Sequence, residues 1–124
     1  MDIRQFWDVT LRQDADRMRP FFSSSAHINW HCTNERFTVE EYIRANCEYP
    51  GEWTGAVERI EQAGNTLITA VRVHPADRAQ SFHVVSFFTL VNDKIAALDE
   101  YWSDDGPALR WRQAMKIGTQ IKNL

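Results

Sequence analysis

The chain lacks a basic surplus. Among its 124 residues, Lys and Arg number 14 against 17 Asp and Glu, a formal net charge of −3. Neutralising a phosphate backbone needs the opposite balance, so no nucleic-acid partner is expected. No apolar stretch approaches the roughly 20 residues of a membrane helix, so no membrane partner is expected either. The opening segment, residues 1–17, has no continuous apolar core of the signal-peptide kind, which makes the cytoplasm the expected location. In that setting the two cysteines, Cys32 and Cys47, are expected as reduced thiols. Repeats, low-complexity tracts and linkers are missing, and the length fits one domain over residues 1–124. His27, His31 and Cys32 follow no recognised ligand spacing, so neither a metal nor a cofactor is expected. What the chain does have is rings: five Trp and seven Phe. That is more than a small core needs, and it suggests a ring-lined pocket.

The order of elements follows from periodicity. Ile3, Phe6, Trp7, Thr10 and Leu11 recur at helical spacing, with Met18 on the same stripe and Pro20 as the limit. Asp2 and Gln5 resemble a capping box, while Asp14 and Asp16 read as solvated. Phe21-Phe22 forms a short helical turn and Ser23-Ser24-Ser25 a turn. Ala26 to Trp30 alternates as a half-buried strand, and His31 to Arg36 is a polar loop. Thr38-Val39-Glu40-Glu41 is a capping box opening a helix that places Val39, Tyr42, Ile43 and Asn46 on one side and ends at Pro50-Gly51. Four strands follow: Trp53 to Gln62, Thr66 to Val73, Ser81 to Val91 and Lys94 to Trp102. Residues 107–124 read as a helical tail, with Pro107 in its first turn and Ala108, Trp111 and Met115 on one face. Helices first and a meander last make an α+β fold.

Two segments carry a family resemblance. Asp93-Lys94-Ile95-Ala96-Ala97-Leu98-Asp99-Glu100-Tyr101-Trp102-Ser103 resembles the last strand of ketosteroid isomerases. The stretch from Phe6 to Trp30 resembles the isomerase start, with Asp14 on the helix-ending aspartate and Ala26-His27-Ile28 opening the first strand. The resemblance implies the nuclear transport factor 2-like fold, shared with polyketide cyclases and limonene epoxide hydrolases. That fold is a cone-shaped, curved antiparallel sheet wrapped around the N-terminal helices. Carried over by position, the isomerase's oxyanion-hole tyrosine falls on Phe6, its base aspartate on Trp30 and its protonated aspartic acid on Ser86. Without those groups the chain is not expected to be a ketosteroid isomerase. Trp102 matches the family and would line the cavity. Proteins of this fold commonly pair through the outer sheet face, which here would carry His83, Val85, Phe87 and Thr89. An apolar outer face is a liability for a monomer, so a homodimer is expected.

Glu100 is the leading candidate for chemistry. Leu98, Glu100 and Trp102 share one strand face, and Trp102 directs that face inward. A carboxyl among rings is desolvated and its pKa rises, which suits a general acid or base. Arg59, Arg72 or Arg110 could instead pair with it. His31 is the second candidate base, oriented by Glu35. Asp104-Asp105 ahead of Gly106-Pro107 reads as the cap of the tail helix. Phe6, Trp30, Tyr42, Trp53, Ser86, Phe88 and Trp102 are the expected ligand-binding residues. Trp53 would form a lid rim, and Tyr42 or Ser86 would donate a hydrogen bond. The expected ligand is a small hydrophobic molecule bearing a carbonyl or epoxide. Two functions fit: a cofactor-free enzyme of cyclase, isomerase or hydrolase type acting through Glu100, or a ligand-binding or structural module without chemistry.

Overall fold

The computed structural model describes residues 1–121, so the end of the tail expected over 107–124 lies outside the described residues. Helix α1, Ile3–Leu11, begins at Asp2, whose carboxylate accepts the Gln5 amide as an N-cap. Its apolar stripe buries Ile3, Phe6, Trp7 and Val9. The stripe does not continue unbroken to Met18. Gln13 adopts φ 58°, and Asp14, expected to be solvated, caps a separate helix α2, Ala15–Met18, by accepting the Arg17 amide. A short 3-10 turn over Arg19–Phe21 leads into strand β1, Phe22–Trp30. The three serines expected as a turn lie within the span of β1, at the irregularity where its pairing with β6 shifts register between Phe22 and His27.

The expected polar loop after Trp30 is also partly strand. A 3-10 turn, His31–Thr33, and Asn34 in the left-handed region reverse the chain into β2, Glu35–Thr38. Strand β2 pairs antiparallel with β1, His27 opposite Thr38. Helix α3, Val39–Cys47, carries the expected capping box: Glu41 N–H donates to Thr38 Oγ1 and Thr38 N–H to Glu41 Oε1. It buries Val39, Tyr42 and Ile43.

Strands β3 (Trp53–Ala63), β4 (Thr66–Pro75), β5 (Phe82–Val91) and β6 (Lys94–Asp104) form the expected antiparallel meander. The six strands make one curved, unclosed sheet in the order β2-β1-β6-β5-β4-β3. One pair departs from the expected antiparallel sheet: β1 runs parallel to β6, with Ile28 beside Leu98 and Trp30 beside Glu100. The helices fill the concave face. Trp7 Nε1 donates to Thr69 Oγ1 at 3.1 Å inside the core, pinning α1 to β4.

Past β6, Asp105 does not cap the tail helix. Its carboxylate accepts from Ser81 and pairs with His83, and its amide donates to the Ser81 carbonyl, so it locks the strand end to β5. Helix α4, Arg110–Met115, starts three residues beyond Pro107 and has no side-chain cap. Trp111 and Met115 are exposed.

Candidate functional site

The site is built where β1, β5 and β6 run side by side under α1 and α3. Period-two alternation turns Leu98, Glu100 and Trp102 inward from β6, and Val84, Ser86 and Phe88 inward from β5. The β5–β6 register bulge falls between Thr89 and Leu90, away from Glu100, so the inward phase is kept. Ser86 lies opposite Glu100 in the antiparallel register and Trp30 beside it in the parallel one. The carboxyl is therefore reached from both flanks. Ser86 Oγ donates to one oxygen at 2.6 Å and Trp30 Nε1 to the other at 3.1 Å.

Glu100 has no solvent exposure and no arginine partner; none of Arg59, Arg72 or Arg110 reaches it. Burial raises its pKa, outweighing the hydrogen bonds that favour the carboxylate. Tyr42, also fully buried, faces it, and burial beside that carboxyl pushes the phenol well above its usual range. The Tyr42 hydroxyl makes no well-formed hydrogen bond. The carboxyl is thus shifted toward its protonated form, flanked by two hydroxyls and an indole N–H in apolar surroundings.

A cavity of about 280 Å³ opens on the other side of Trp30 and Trp102. Its wall includes an arc of rings. Trp30 and Trp102 stand 6.1 Å apart between centroids, Trp102 and Phe82 6.4 Å, Phe82 and Trp53 5.6 Å, and Trp53 and Tyr49 5.3 Å. The rings are mutually inclined by 39° to 81°, so they form the sides of a box and not a stack. Helix α1 closes the box with Trp7, Thr10 and Leu11.

Of the residues singled out in the sequence, Trp30, Trp53 and Trp102 line this cavity. Phe6, Tyr42, Ser86 and Phe88 are fully buried behind it, with Phe6 and Phe88 packed edge to face at 5.3 Å. Glu100 lies in that inner layer, not in the wall. His31 does not join them. Its ring stacks on Tyr101 at 4.6 Å and its Nε2 pairs with Asp99 at 2.7 Å, both on the outer sheet face. Burial opposes the charged form of Asp99, but the hydrogen bonds of Asn29 and His31 outweigh it and hold the carboxyl below its usual value. Glu35 accepts from Thr33 and does not orient His31. Trp53 donates its N–H to the Pro50 carbonyl, fixing the rim at the end of α3. Trp7, Phe82 and Asp104 in the wall were not anticipated. Phe82 shares the inward phase of Ser86 and Phe88, and Trp7 the apolar stripe of α1, so a signal for both was present. Cys32 and Cys47 are free thiols. No group of three or more His, Cys, Asp or Glu among the described residues is arranged to hold a metal. No helix among them is long and apolar enough to cross a membrane.

Sheet, helices and cavity define the ketosteroid isomerase-like, nuclear transport factor 2-like class of fold. Within it the chain belongs to the SnoaL-like domain family, whose model matches residues 3–106. A similar solved structure is that of a protein described as a ketosteroid isomerase from Kribbella flavida DSM 17836: TM-score 0.79, 20% identity, 98% of this chain and 87% of that one. An NTF-2 like protein of unknown function from Burkholderia xenovorans LB400 has TM-score 0.78 and 22% identity over 97% and 92% of the two chains. An LEH-like epoxide hydrolase from M. tuberculosis has TM-score 0.67 and 13% identity over 82% and 79%. At these identities the likeness establishes the fold alone. No curated protein matches the chain in sequence.

Proposed function

We propose that the protein binds a small, largely apolar organic molecule in the ring-walled cavity. The observation that carries this is the box of Trp7, Trp30, Trp53 and Trp102 around about 280 Å³ of space, close to the lower end of ligand-pocket sizes. Empty apolar volume forfeits the dispersion contacts that a filled core gains, so a cavity of this size is an occupant's place more readily than a packing solution. The test is tryptophan fluorescence across a panel of small aromatic and alicyclic compounds, repeated on Trp102→Ala. Saturable quenching in the native protein, weakened at least about tenfold in the variant, supports the reading. A panel without any saturable response overturns it.

A second reading, catalysis, is favoured by Glu100: a buried carboxyl with a raised pKa and two hydroxyls beside it, one layer behind Trp30 and Trp102. Such a group can give a proton to a carbonyl or epoxide oxygen once the two indoles part. If this reading holds, Glu100→Gln abolishes turnover of a bound substrate and keeps its affinity. Undiminished turnover in that variant would leave the non-catalytic binding module as the function.

A further inference from the structure

The N–H donors of the cavity wall are turned away from its space, and its Thr10 and Thr33 hydroxyls can donate or accept. Three of its four indole N–H groups point into the protein: Trp7 to Thr69 Oγ1, Trp30 to Glu100 Oε1 and Trp53 to the Pro50 carbonyl. The fourth, on Trp102, is enclosed without a partner. The side-chain amides are turned the same way. Gln13 Nε2 donates to the Asn46 and Tyr49 carbonyls at 2.9 and 2.7 Å, and Asn46 Nδ2 donates to the Tyr42 carbonyl at 2.9 Å. Both amides keep their oxygens as acceptors, and Asp104 adds a carboxylate. Among the described residues no Lys, Arg or His lines the cavity, and Asp104 has no cationic partner.

We propose that the ligand of this cavity is a small organic cation, an ammonium with apolar substituents, held against the ring faces with Asp104 at the rim. The proposal rests on the cavity being a ligand site and narrows what that site takes. An aromatic ring carries negative potential over its face, and a box of inclined rings presents several faces to one centre. An acceptor on an indole N–H pushes electron density into that ring, and three of the four indoles have one. An anion would meet ring faces, amide oxygens and a carboxylate with no free cation to offset them.

The test uses three probes of matched shape: benzyltrimethylammonium, its neutral carbon isostere neopentylbenzene, and phenylacetate. Their dissociation constants are read by tryptophan quenching and confirmed by calorimetry, on the native protein and on Asp104→Asn. The cation is expected to bind about tenfold or more tighter than the neutral isostere, with phenylacetate weakest. Asp104→Asn should weaken the cation about threefold to tenfold and leave the neutral probe unchanged. Equal binding of cation and isostere, or tighter binding of the anion, overturns the charge preference and leaves the cavity as a ligand site. Binding of none of the three removes the ligand site itself and the proposal with it.

Discussion

Glu100 shows how one side chain is governed by its surroundings. Its inward phase follows from alternation along β6, and its raised pKa follows from burial without a cation. The folded protein holds this proton at pH values where the unfolded chain has released it. Stability from the neutral acid is therefore complete below the usual 4.5 and falls as pH rises through the folded-state value. Glu100→Gln has no proton to lose, and the orphaned Tyr42 hydroxyl gives its amide an acceptor. The melting temperature of the variant minus that of the native protein should climb as pH rises above the usual 4.5. A flat difference would mean that Glu100 titrates like a solvated carboxyl. What the sequence did not reveal is its company. Trp30 and Ser86 are 70 and 14 residues away in the chain, and only strand register brings them to it.

Among the elements, α3 depends on a local signal and β3 on a long-range one. The capping box Thr38–Glu41 satisfies two amides that would otherwise end unpaired, and the helix macrodipole adds to the stabilisation of Glu40 and Glu41 in its first turn. Thr38→Ala should cost about 1 kcal/mol in chemical denaturation. Because α3 forms part of the cavity's frame, the same variant should weaken ligand binding only modestly. In β3, Gly55 lies where a Cβ would come within 2.3 Å of the Arg72 carbonyl oxygen and 3.2 Å of Leu11. The first neighbour is backbone and cannot rotate away. Gly55→Ala should therefore destabilise by about 1–3 kcal/mol, read from urea midpoints, although alanine is the better strand former. A neutral result would show that β3 and β4 separate there freely. The element missed from the sequence is β2. Its four residues are too few for a period, and its pairing with β1 depends on Asn34 taking a left-handed turn.

For the molecule as a whole, the sheet's convex side carries an apolar strip. Val85 and Phe87 are each 37% exposed and Tyr101 44%, in a contiguous strip with Phe87 and Tyr101 ring to ring at 6.0 Å. We propose that this strip is covered by a second copy of the chain, the two strips meeting across a twofold axis. Light scattering should then give twice the 14.5 kDa chain mass, falling to one chain for Phe87→Asp. A native monomer would overturn the pairing, and a dimer indifferent to that change would place the contact elsewhere, for instance on the exposed Trp111 and Met115 of α4.

By itself the sequence determined the parts: an opening helix, the meander of β3 to β6 after α3, the capping box of α3 and the inward phase of Glu100 and Trp102. All of these are short-range, encoded in spacings of two to four residues that any stretch of chain must obey. Tertiary structure decided the rest. The parallel pairing of β1 with β6 joins segments about seventy residues apart, and no local pattern records it. That pairing brings Trp30 to Glu100 and stands Trp30 beside Trp102, so the wall of the cavity and the acid behind it come from the same long-range contact. The split of the aromatic residues into filler and wall was settled there as well. Phe6 and Phe88 pack against other rings in the buried layer, while Trp30 and Trp53, held at their edges by hydrogen bonds, and Trp102, set against Trp30 and Phe82, line the open space.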